Sequence, residues 1–546
     1  MKRKAVAAVL TAVMVASMFT GCGSDNGSSS AKSASAASAA SAANDTVDED
    51  GKVNGIMYQE GLPLVDEGDY TFSIFCDDSS ESGEFIMLDE FKKQTNVDVD
   101  LKIYPYETAT ERLNLDLNSG DYAYVIGGWT LSDNAILTYG VNQGVFIPLE
   151  DYFEKYCPNI SAILDLPGVR EKMTAPDGHI YTIPYVCGDT TVGYSPYINT
   201  KWLENVGMSM PTTTDEFEAV LKAFKEQDAN GNGDASDEIP FSTDPNNKHI
   251  EAMAGYFGLP MNKLGIAIQD EKVVYGGVSN TYREFLSWFH KLYADGLVDV
   301  ELYTQDSSTW EGKGNQDLYG VSIAYGSNEF TGIPAAEERG DFDSMPVLNT
   351  DKGGIWLRDT EGFSVYRTQA VITNKAEHPE IICRWFDNAF ALENGIGCNR
   401  GPVGVIVNKE DDGYHAIDTT TLSEEDQEKY SWSNLWPQSL PKYLPADFEF
   451  VEEHPMYDEK KATEEAYEAN LTKEIIPSYW IDLDKIDTFS DTNTAIKDFF
   501  EQQQAQFVCG ELDIDNDADW QAYVDGMYSL GLEDWVATQG IEEIAK

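Results

Sequence analysis

The chain has 546 residues, of which 42% are hydrophobic and 24% charged, the composition of an ordinary globular protein of several domains. Asp and Glu number 95 against 37 Lys and Arg, so the formal net charge is −58. An acidic surface of this kind repels phosphate backbones, which disfavours nucleic acid as a partner. Seven cysteines without a CxxC pair, and six histidines without an HExxH spacing, exclude a disulfide scaffold, a zinc ribbon and a zinc-protease helix.

The first 21 residues have the pattern of a signal peptide. Basic residues at positions 2–4 precede an apolar run over 5–19, which is too short to span a bilayer comfortably. The sequence Phe-Thr-Gly-Cys at 19–22 resembles the lipobox of bacterial lipoproteins, although Phe19 departs from the usual aliphatic residue. We expect residues 1–21 to be removed and Cys22 to carry a lipid anchor. An ordinary secretory signal is the alternative.

Residues 22–57 are predicted to comprise the lipidated cysteine and a flexible linker. Ser, Ala and Gly dominate positions 23–43. Such a segment buries too little apolar surface to offset its chain entropy. The sequence contains no second hydrophobic span, so we expect an extracytoplasmic protein held at the cell membrane only by its lipid. The pairing of the six remaining cysteines is left open.

Alternating and helical hydrophobic periodicities predict an α/β fold for the part that follows. Apolar residues alternate over 70–76, recur at helical spacing over 85–91, and alternate again over 97–103. A connection of this length predicts that the two strands are parallel neighbours. A further strand at 122–126 ends just before Trp129, in the region where open α/β sheets bind ligands.

A capping box and two apolar stripes predict later helices. Thr213 and Glu216 have the capping-box spacing at the start of a helix that ends near Gln227. Apolar residues at helical spacing predict two more helices, over 285–292 and 378–390.

The segment 228–240 has the pattern of a calcium-binding loop. Oxygen-bearing side chains occupy alternate positions around a glycine turn, and calcium takes about six to eight oxygen ligands. The loop resembles half an EF-hand, except that Ile239 replaces the glutamate at the twelfth position. The predicted ligands are Asp228, Asn230, Asn232, Asp234 through its carbonyl, Asp237 and Glu238. The alternative is a turn rich in Asn, Gly and Asp that holds no ion.

Several segments, in this order, resemble one protein family. They are the lipobox and linker, Thr182–Tyr185 with Gly193-Tyr194, the run from Lys201 to Pro211, the loop 228–240, and the segment from Trp520 to Leu532. Together they are similar to the extracellular solute-binding proteins of family 1, the lipoprotein receptors of carbohydrate ABC importers. The resemblance covers nearly the whole mature chain.

This resemblance implies a fold and a function. The implied fold class is α/β, the type II periplasmic-binding-protein fold, with two lobes joined by a hinge and a ligand cleft between them. Lobe 1 is expected to comprise 58–183 with 344–403, and lobe 2 to comprise 184–343 with 404–546. The expected partners are a carbohydrate, taken to be an oligosaccharide, and the transmembrane subunits of an ABC permease. The resemblance implies a protein without enzymatic activity. We also expect a monomer, because the sequence shows no self-association face.

Aromatic residues are the first candidates for sugar contacts. They make up 12% of the chain, and aromatic rings can stack on the apolar C–H faces of sugars. Candidate ligand-binding rings are Trp129, Trp310, Tyr325 and Trp356. For each tryptophan the alternative is ordinary core packing.

Three charged residues complete the predicted site. Asp77 and Glu81 follow the first strand, where carboxylates can accept hydrogen bonds from sugar hydroxyls. Arg358 can grip an anionic sugar or pair with a carboxylate inside the fold.

Two other functions remain open at this point. A membrane-anchored glycoside hydrolase needs a pair of carboxylates. Because the chain has 95 acidic residues, their number does not exclude such a pair. A surface adhesin that binds glycans shares the aromatic argument. No GxSxG or Walker loop supports hydrolase or nucleotide chemistry of those types.

Overall fold

A computed structural model of the chain describes residues 45–78, 84–188, 190–244, 249–332, 341–445, 448, 450–451 and 455–545. These residues fall within one compact unit. Two predicted site residues, Cys22 and Glu81, lie outside the described residues. The six cysteines that the structure describes are free thiols.

The first sheet contains the strands predicted near the start of the chain. Its six strands, in spatial order, are Tyr443–Leu444, Thr182–Gly188, Phe363–Ile372, Val125–Gly127, Tyr70–Asp77 and Val97–Tyr104. Tyr70–Asp77 pairs in parallel with Val97–Tyr104, and the helix Ile86–Thr95 connects them, as the periodicity predicted. The carboxyl ends of the parallel strands bring residues 77–78, 127–129 and 186–188 to one edge.

A second sheet follows along the chain. Its four strands, in spatial order, are Phe342–Ser344, Ser195–Asn199, Tyr319–Ala324 and Ile239–Thr243. The smaller sheets contain Ile266–Gln269, Lys272–Tyr275 and Glu543–Ile544; Trp356–Arg358 and Leu471–Ile475; Val407–Glu410 and Gly413–Ala416; and Lys52–Val53 and Met57–Tyr58.

Helices cover both sheets. The α-helices are Ile86–Thr95, Tyr106–Ser119, Asp133–Ala135, Glu150–Tyr156, Pro158–Leu164, Val169–Met173, Thr200–Val206, Thr214–Glu226, Asn280–Ala294, Ser307–Asn315, Asn328–Thr331, Pro379–Ala389, Leu392–Arg400, Glu424–Lys429, Pro455–Tyr467, Ile486–Cys509, Asp517–Ser529 and Leu532–Thr538. A π-helix spans Ile136–Asn142, and 3₁₀-helices span Ile250–Phe257, Thr419–Thr421, Trp432–Asn434, Glu468–Asn470 and Leu483–Lys485. Among the described residues, no helix is both long and apolar enough to cross a bilayer.

The helix Thr214–Glu226 shows why the local prediction succeeds. The Thr213 hydroxyl accepts a hydrogen bond from the backbone N–H of Glu216, which satisfies one of the free donors at the helix start. The Glu216 carboxylate accepts from the backbone and hydroxyl of Thr212, one residue before the predicted partner. Four residues of one apolar stripe are buried: Phe217, Val220, Leu221 and Phe224.

Two main hydrophobic cores divide the chain into two lobes. One core draws on residues between 53 and 186 and between 370 and 440, and the other on residues between 192 and 357 and between 467 and 545. We use "first lobe" for the described residues of 45–188 and 363–445, and "second lobe" for those of 190–358, 455–476 and 489–545. Trp480, Ile481 and Ile486, in the intervening segment, pack against the first lobe.

The two cores depart from the boundaries predicted from the sequence. Met345 and Trp356 pack in the second core, although the prediction placed 344–403 wholly in lobe 1. Trp436 and Leu440 pack in the first core, although the prediction assigned 404–546 to lobe 2. The difference arises because Tyr443–Leu444 adds an edge strand to the first sheet late in the chain.

Candidate functional site

Trp129 stands on a loop that Asp77 holds in place. The two carboxylate oxygens of Asp77 accept hydrogen bonds from the backbone N–H groups of Trp129, at 2.9 Å, and Thr130, at 2.6 Å. Asp77 is fully buried, and this burial raises the pKa of its carboxyl group while the loop hydrogen bonds oppose the rise. Asp77 is therefore placed to position Trp129, instead of facing the cleft as predicted.

Gly128 makes this arrangement possible. Its φ of +137° lies in a region that favours glycine, and a Cβ atom there would lie 2.2 Å from Asp77 Oδ1. The loop can therefore approach the carboxylate closely only without a side chain at this position. The indole that follows is 45% exposed, a high value for tryptophan.

Three rings form the first-lobe side of the site. The Trp129 ring lies edge-on to Tyr366, with centroids 5.3 Å apart, and 6.5 Å from the ring of Tyr185. Tyr185 and Tyr366 stack on neighbouring strands at 5.4 Å, in directly paired positions. Both tyrosines are half-buried, so the cluster presents aromatic faces and phenol groups beside an exposed indole.

Rings of the second lobe form the other side. Tyr194 stacks on His249 with centroids 4.0 Å apart and meets Tyr325 edge-on at 6.1 Å. The Lys460 ammonium lies 3.6 Å from the centroid of the Tyr325 ring and donates a hydrogen bond to the carbonyl of Gly193. Burial lowers the pKa of His249 to about 3, so its imidazole is neutral at physiological pH. Its buried Nε2 has no hydrogen-bond partner among the described residues.

Electrostatics connects the two sides. Burial raises the pKa of Tyr194, and the neighbouring Glu329, Asp244 and Tyr366 add to the rise. Tyr366 belongs to the first lobe and Tyr194 to the second, so this electrostatic interaction acts between the ring clusters of the two lobes. The two ring clusters are therefore the candidate lining of the cleft between the lobes.

Glu329 gives the second-lobe side a pH-sensitive group. Its carboxylate accepts a hydrogen bond from the backbone N–H of Tyr325 at 2.9 Å. Burial raises the pKa of Glu329 to about 7, against roughly 4.3 for a free glutamate. The folded chain therefore binds more protons than the unfolded chain between these values, and stability falls as the pH rises across that window.

We expect Glu329→Gln to remove part of this pH dependence. The wild-type melting temperature should fall between pH 5 and pH 7.5, and the variant should show a shallower fall in the same scan. Glu204→Gln, at an exposed position of the second lobe, is the matched control and should keep the wild-type slope. Equal slopes for wild type and Glu329→Gln would contradict the assignment.

The structure places three of the other predicted residues away from the ring clusters. Tyr325 is a member of the second-lobe cluster, and its role as a ligand contact stays a prediction. Trp310 is buried and donates its indole N–H to Ser322, while Trp356 is buried in the second core. Arg358 pairs with Glu468 and also donates to the Thr472 carbonyl.

The corrections have a common physical reason. Glycine and serine flank Trp310 and Trp356 in the sequence, but Trp310 lies within the helix Ser307–Asn315 and Trp356 begins a strand. The helix and the strand turn these two side chains into the interior, where both are buried. Arg358 is engaged by its own lobe, the alternative that the sequence left open.

Several cleft residues were not predicted as ligand contacts. Tyr185 and Tyr194 belong to segments that carried the family resemblance, and that was their only signal in the sequence. Tyr366 alternates with buried Arg367 along the strand Phe363–Ile372, but alternation does not tell which face meets a cleft. His249 lies in a left-handed conformation that the sequence did not signal.

The predicted calcium loop is present as a tight turn before the strand Ile239–Thr243. Asp228 accepts from the backbone of Gly233, and the side-chain oxygens of Asn230 and Asn232 accept from backbone N–H groups two residues further on. The amide nitrogens of the two asparagines donate to Asp237. The side-chain oxygens of the loop thus accept hydrogen bonds from backbone N–H groups of the same loop.

Two carboxylate oxygens of this loop fit a cation. Asp228 Oδ1 and Glu238 Oε2 are buried and lack a hydrogen-bond partner in the described chain, although buried polar atoms are normally paired. Burial raises the pKa of Glu238, and Asp237 adds to the rise. A hard cation such as calcium would satisfy both orphaned oxygens.

The fold and the cleft define a class of binding protein, and comparison with known proteins gives its family. The model for "Bacterial extracellular solute-binding protein" matches residues 78–395, more than half of the chain. The chain belongs to this family. The family predicted from the sequence is therefore confirmed.

Individual relatives are informative as well. The chain is 31% identical to the fructooligosaccharide ABC transporter substrate-binding protein FusA of Streptococcus pneumoniae serotype 4 (strain ATCC BAA-334 / TIGR4), over 73% of this chain and 70% of FusA. It is 28% identical to the lipoprotein LipO of Bacillus subtilis (strain 168), over 50% of this chain and 52% of LipO.

Solved structures agree with the fold. The S. pneumoniae FusA complex with kestose superposes with a TM-score of 0.76 at 26% identity, over 86% of this chain and 98% of that one. A FusA EF-hand mutant with fructo-nystose gives a TM-score of 0.74 at 27% identity, with the same coverage. The predicted fold class is confirmed.

Proposed function

We propose that this protein captures an oligosaccharide outside the cytoplasm and delivers it to the permease of an ABC importer. The observation that carries the proposal is the pair of aromatic walls, with Trp129, Tyr185 and Tyr366 on one lobe and Tyr194 and Tyr325 on the other. Apolar ring faces with a few convergent polar groups are typical of small-molecule sites. Contacts on both lobes favour a closed state, which a permease can recognise.

Fructooligosaccharides are the first ligands to test. FusA, a relative at 31% identity, is named for them. A neutral ligand is favoured over an anionic one, because the carboxyl groups of Glu329 and Asp244 lie near the second-lobe ring of Tyr194 and would repel a negative charge. We expect kestose to raise the melting temperature of the protein, with a Kd measurable by calorimetry.

The protein is proposed to bind without chemistry. Glycoside hydrolysis requires two carboxyl groups about 5–9.5 Å apart on opposite sides of the scissile bond. Both carboxylate oxygens of Asp77 accept hydrogen bonds from the Trp129 loop, so Asp77 is not placed as one of such a pair. Incubation with an oligosaccharide panel tests the point: stabilisation without new reducing ends supports a receptor, whereas release of reducing ends would establish a hydrolase.

The surface adhesin differs from an importer component in its partner. Co-purification with two permease subunits, and loss of oligosaccharide uptake on deletion, are expected for the importer. Adhesion to glycan-coated surfaces with normal uptake would favour the adhesin.

The anchor and the oligomeric state are also proposals. The lipobox ending at Cys22 supports a lipid anchor at the cell membrane, as does the likeness to LipO. Cys22→Ala should release the protein from the membrane fraction. We propose a monomer, for which light scattering should give a mass near that of one chain.

Calcium is proposed as a structural ion. Asp228, Asn230, Asn232, Asp237 and Glu238 would hold it with side-chain oxygens and Asp234 with its carbonyl. The orphaned oxygens of Asp228 and Glu238 support this assignment, and a FusA variant called an EF-hand mutant is consistent with it. The ion would supply a cross-link in the loop and no reactive group.

We expect Trp129→Ala to weaken oligosaccharide binding strongly. Removing a central exposed aromatic contact costs roughly 2 kcal/mol, or about a thirtyfold rise in Kd. Calorimetry with kestose measures the change. Tyr528→Ala, a similarly exposed ring on the helix Asp517–Ser529, is the control and should leave Kd unchanged. An unchanged Kd for Trp129→Ala would remove Trp129 from the site.

A further inference from the structure

A second exposed tryptophan lies in the first lobe, outside the ring cluster described above. Trp432 is 53% exposed at the start of the 3₁₀-helix Trp432–Asn434. By contrast, five other indoles are almost fully buried: Trp202, Trp356, Trp385, Trp436 and Trp535. A single exposed apolar side chain is common on protein surfaces, so exposure alone assigns no role to Trp432.

A buried hydrogen-bond relay holds this segment against the first sheet. Asp78 accepts from the backbone N–H of Gln438 at 2.7 Å, at the edge where Asp77 holds Trp129. The Gln438 amide donates to the carbonyls of Trp432 and Trp436, and its oxygen accepts from Lys442 at 2.8 Å. Gln438 and Lys442 are both buried. The backbone of Trp432 is thus held by a buried polar network, while its side chain is exposed.

Lys442 connects Trp432 to the cleft. Its ammonium lies 5.7 Å from the centroid of the Trp432 ring and 5.8 Å from that of Tyr185. Burial lowers the pKa of Lys442 to about 8, which is the cost of keeping this amine inside the fold. Tyr185 in turn neighbours Tyr366 and Trp129. Trp432 and Tyr185 therefore flank the same buried ammonium group.

A side chain whose backbone and neighbours are already fixed loses less conformational entropy when a ligand stacks on it. Trp129 and Trp432 are the two exposed indoles of this series of neighbours: Trp129 lies 6.5 Å from Tyr185, and Trp432 reaches Tyr185 through Lys442. The ring contacts of the described residues give the two indoles different neighbours and no contact with each other. A chain of several sugar rings offers a separate ring to each indole.

We propose that Trp432 is an outer stacking subsite of the cleft, which selects oligosaccharides by length and takes a sugar ring beyond the one at Trp129. Asp78, Gln438 and Lys442 act as positioning residues for this subsite. The inference rests on the proposed function and deepens it, because it assigns chain-length specificity to one residue.

Calorimetry with fructose, sucrose, kestose and nystose tests the subsite. For the wild type we expect Kd to fall as the ligand lengthens from sucrose to nystose. For Trp432→Ala, Kd for nystose should rise at least tenfold while Kd for sucrose changes less than twofold. Trp432→Tyr should recover most of the nystose affinity, because a ring is restored. Tyr528→Ala should follow the wild type throughout.

The outcomes separate the subsite from the function. Equal losses for all ligands, or no loss for any, would overturn the subsite while the receptor stands. A wild type that binds none of the four sugars would overturn the fructooligosaccharide assignment and this inference with it. A thermal melt of each variant in the absence of sugar checks folding. An unchanged transition together with a selective nystose defect supports the proposal.

Discussion

Replacing Gly128 with alanine is expected to destroy the first-lobe side of the cleft while leaving the rest of the protein folded. A Cβ atom would lie 2.2 Å from Asp77 Oδ1 and 2.5 Å from its Cγ, closer than non-bonded atoms approach. Asp77 is buried and holds two backbone N–H groups, so it cannot move aside without leaving them unpaired. The loop must move instead, and Trp129 with it.

The expected size of this effect follows from the strain and the lost contact. Backbone strain costs about 1–3 kcal/mol, so the free energy of unfolding should fall by roughly that amount in a denaturant titration. Affinity for kestose should fall further than in Trp129→Ala, because the displaced loop obstructs the site as well as losing the ring.

Gly144→Ala is the matched control. Gly144 also has a positive φ, +64°, but a Cβ there would meet nothing within 4 Å. This variant should lose about 1 kcal/mol of stability and no affinity. If Gly128→Ala bound kestose as tightly as Gly144→Ala, the close approach of the loop to Asp77 would not matter for the site.

Calcium removal is expected to lower the melting temperature by about 3 °C, since an ion at a hundred times its Kd contributes about 2.7 kcal/mol to folding and a chain of this length unfolds with an entropy of roughly 1 kcal/mol per degree. The physical source is the orphaned oxygen of Asp228 and that of Glu238, which are buried and lack a hydrogen-bond partner among the described residues. Differential scanning fluorimetry with excess calcium and with a chelator measures the shift.

Asp228→Asn should melt at one temperature in both conditions, because it loses a ligand charge. Asp270→Asn, in an exposed turn of the same lobe, should respond to chelation as the wild type does. Oligosaccharide Kd should change little on chelation. The loop precedes the strand Ile239–Thr243, whereas Asp244 follows it beside the cleft rings. An identical melt with and without chelator would remove the calcium site.

The comparison of prediction with structure shows where sequence reasoning works. The unit Tyr70–Asp77, Ile86–Thr95 and Val97–Tyr104 could be predicted because its side chains repeat with the period of the element that buries them. Trp129 could be placed beyond a strand for the same reason. Its surroundings could not be foreseen, because Tyr185 and Tyr366 lie far along the chain and meet it only through sheet order.

The two predicted tryptophans that the structure buries show the limit of local sequence patterns. Trp310 and Trp356 have neighbours in sequence that suggest loops, but burial depends on what packs against them from elsewhere. Trp432 is the converse case. Its segment has no ligand signal of its own, and the proposed subsite depends on contacts with Lys442 and, through Gln438, with Asp78.

By itself the sequence determined the period of each strand and helix, the oxygen-rich loop at 228–240, the acidic charge and the family. All of these depend on residues near one another along the chain. Tertiary structure alone decided which rings contact each other, which carboxylate positions Trp129 and where the lobes divide. These features depend on strand order and on contacts between residues tens to hundreds of positions apart, and neither periodicity nor spacing encodes such contacts.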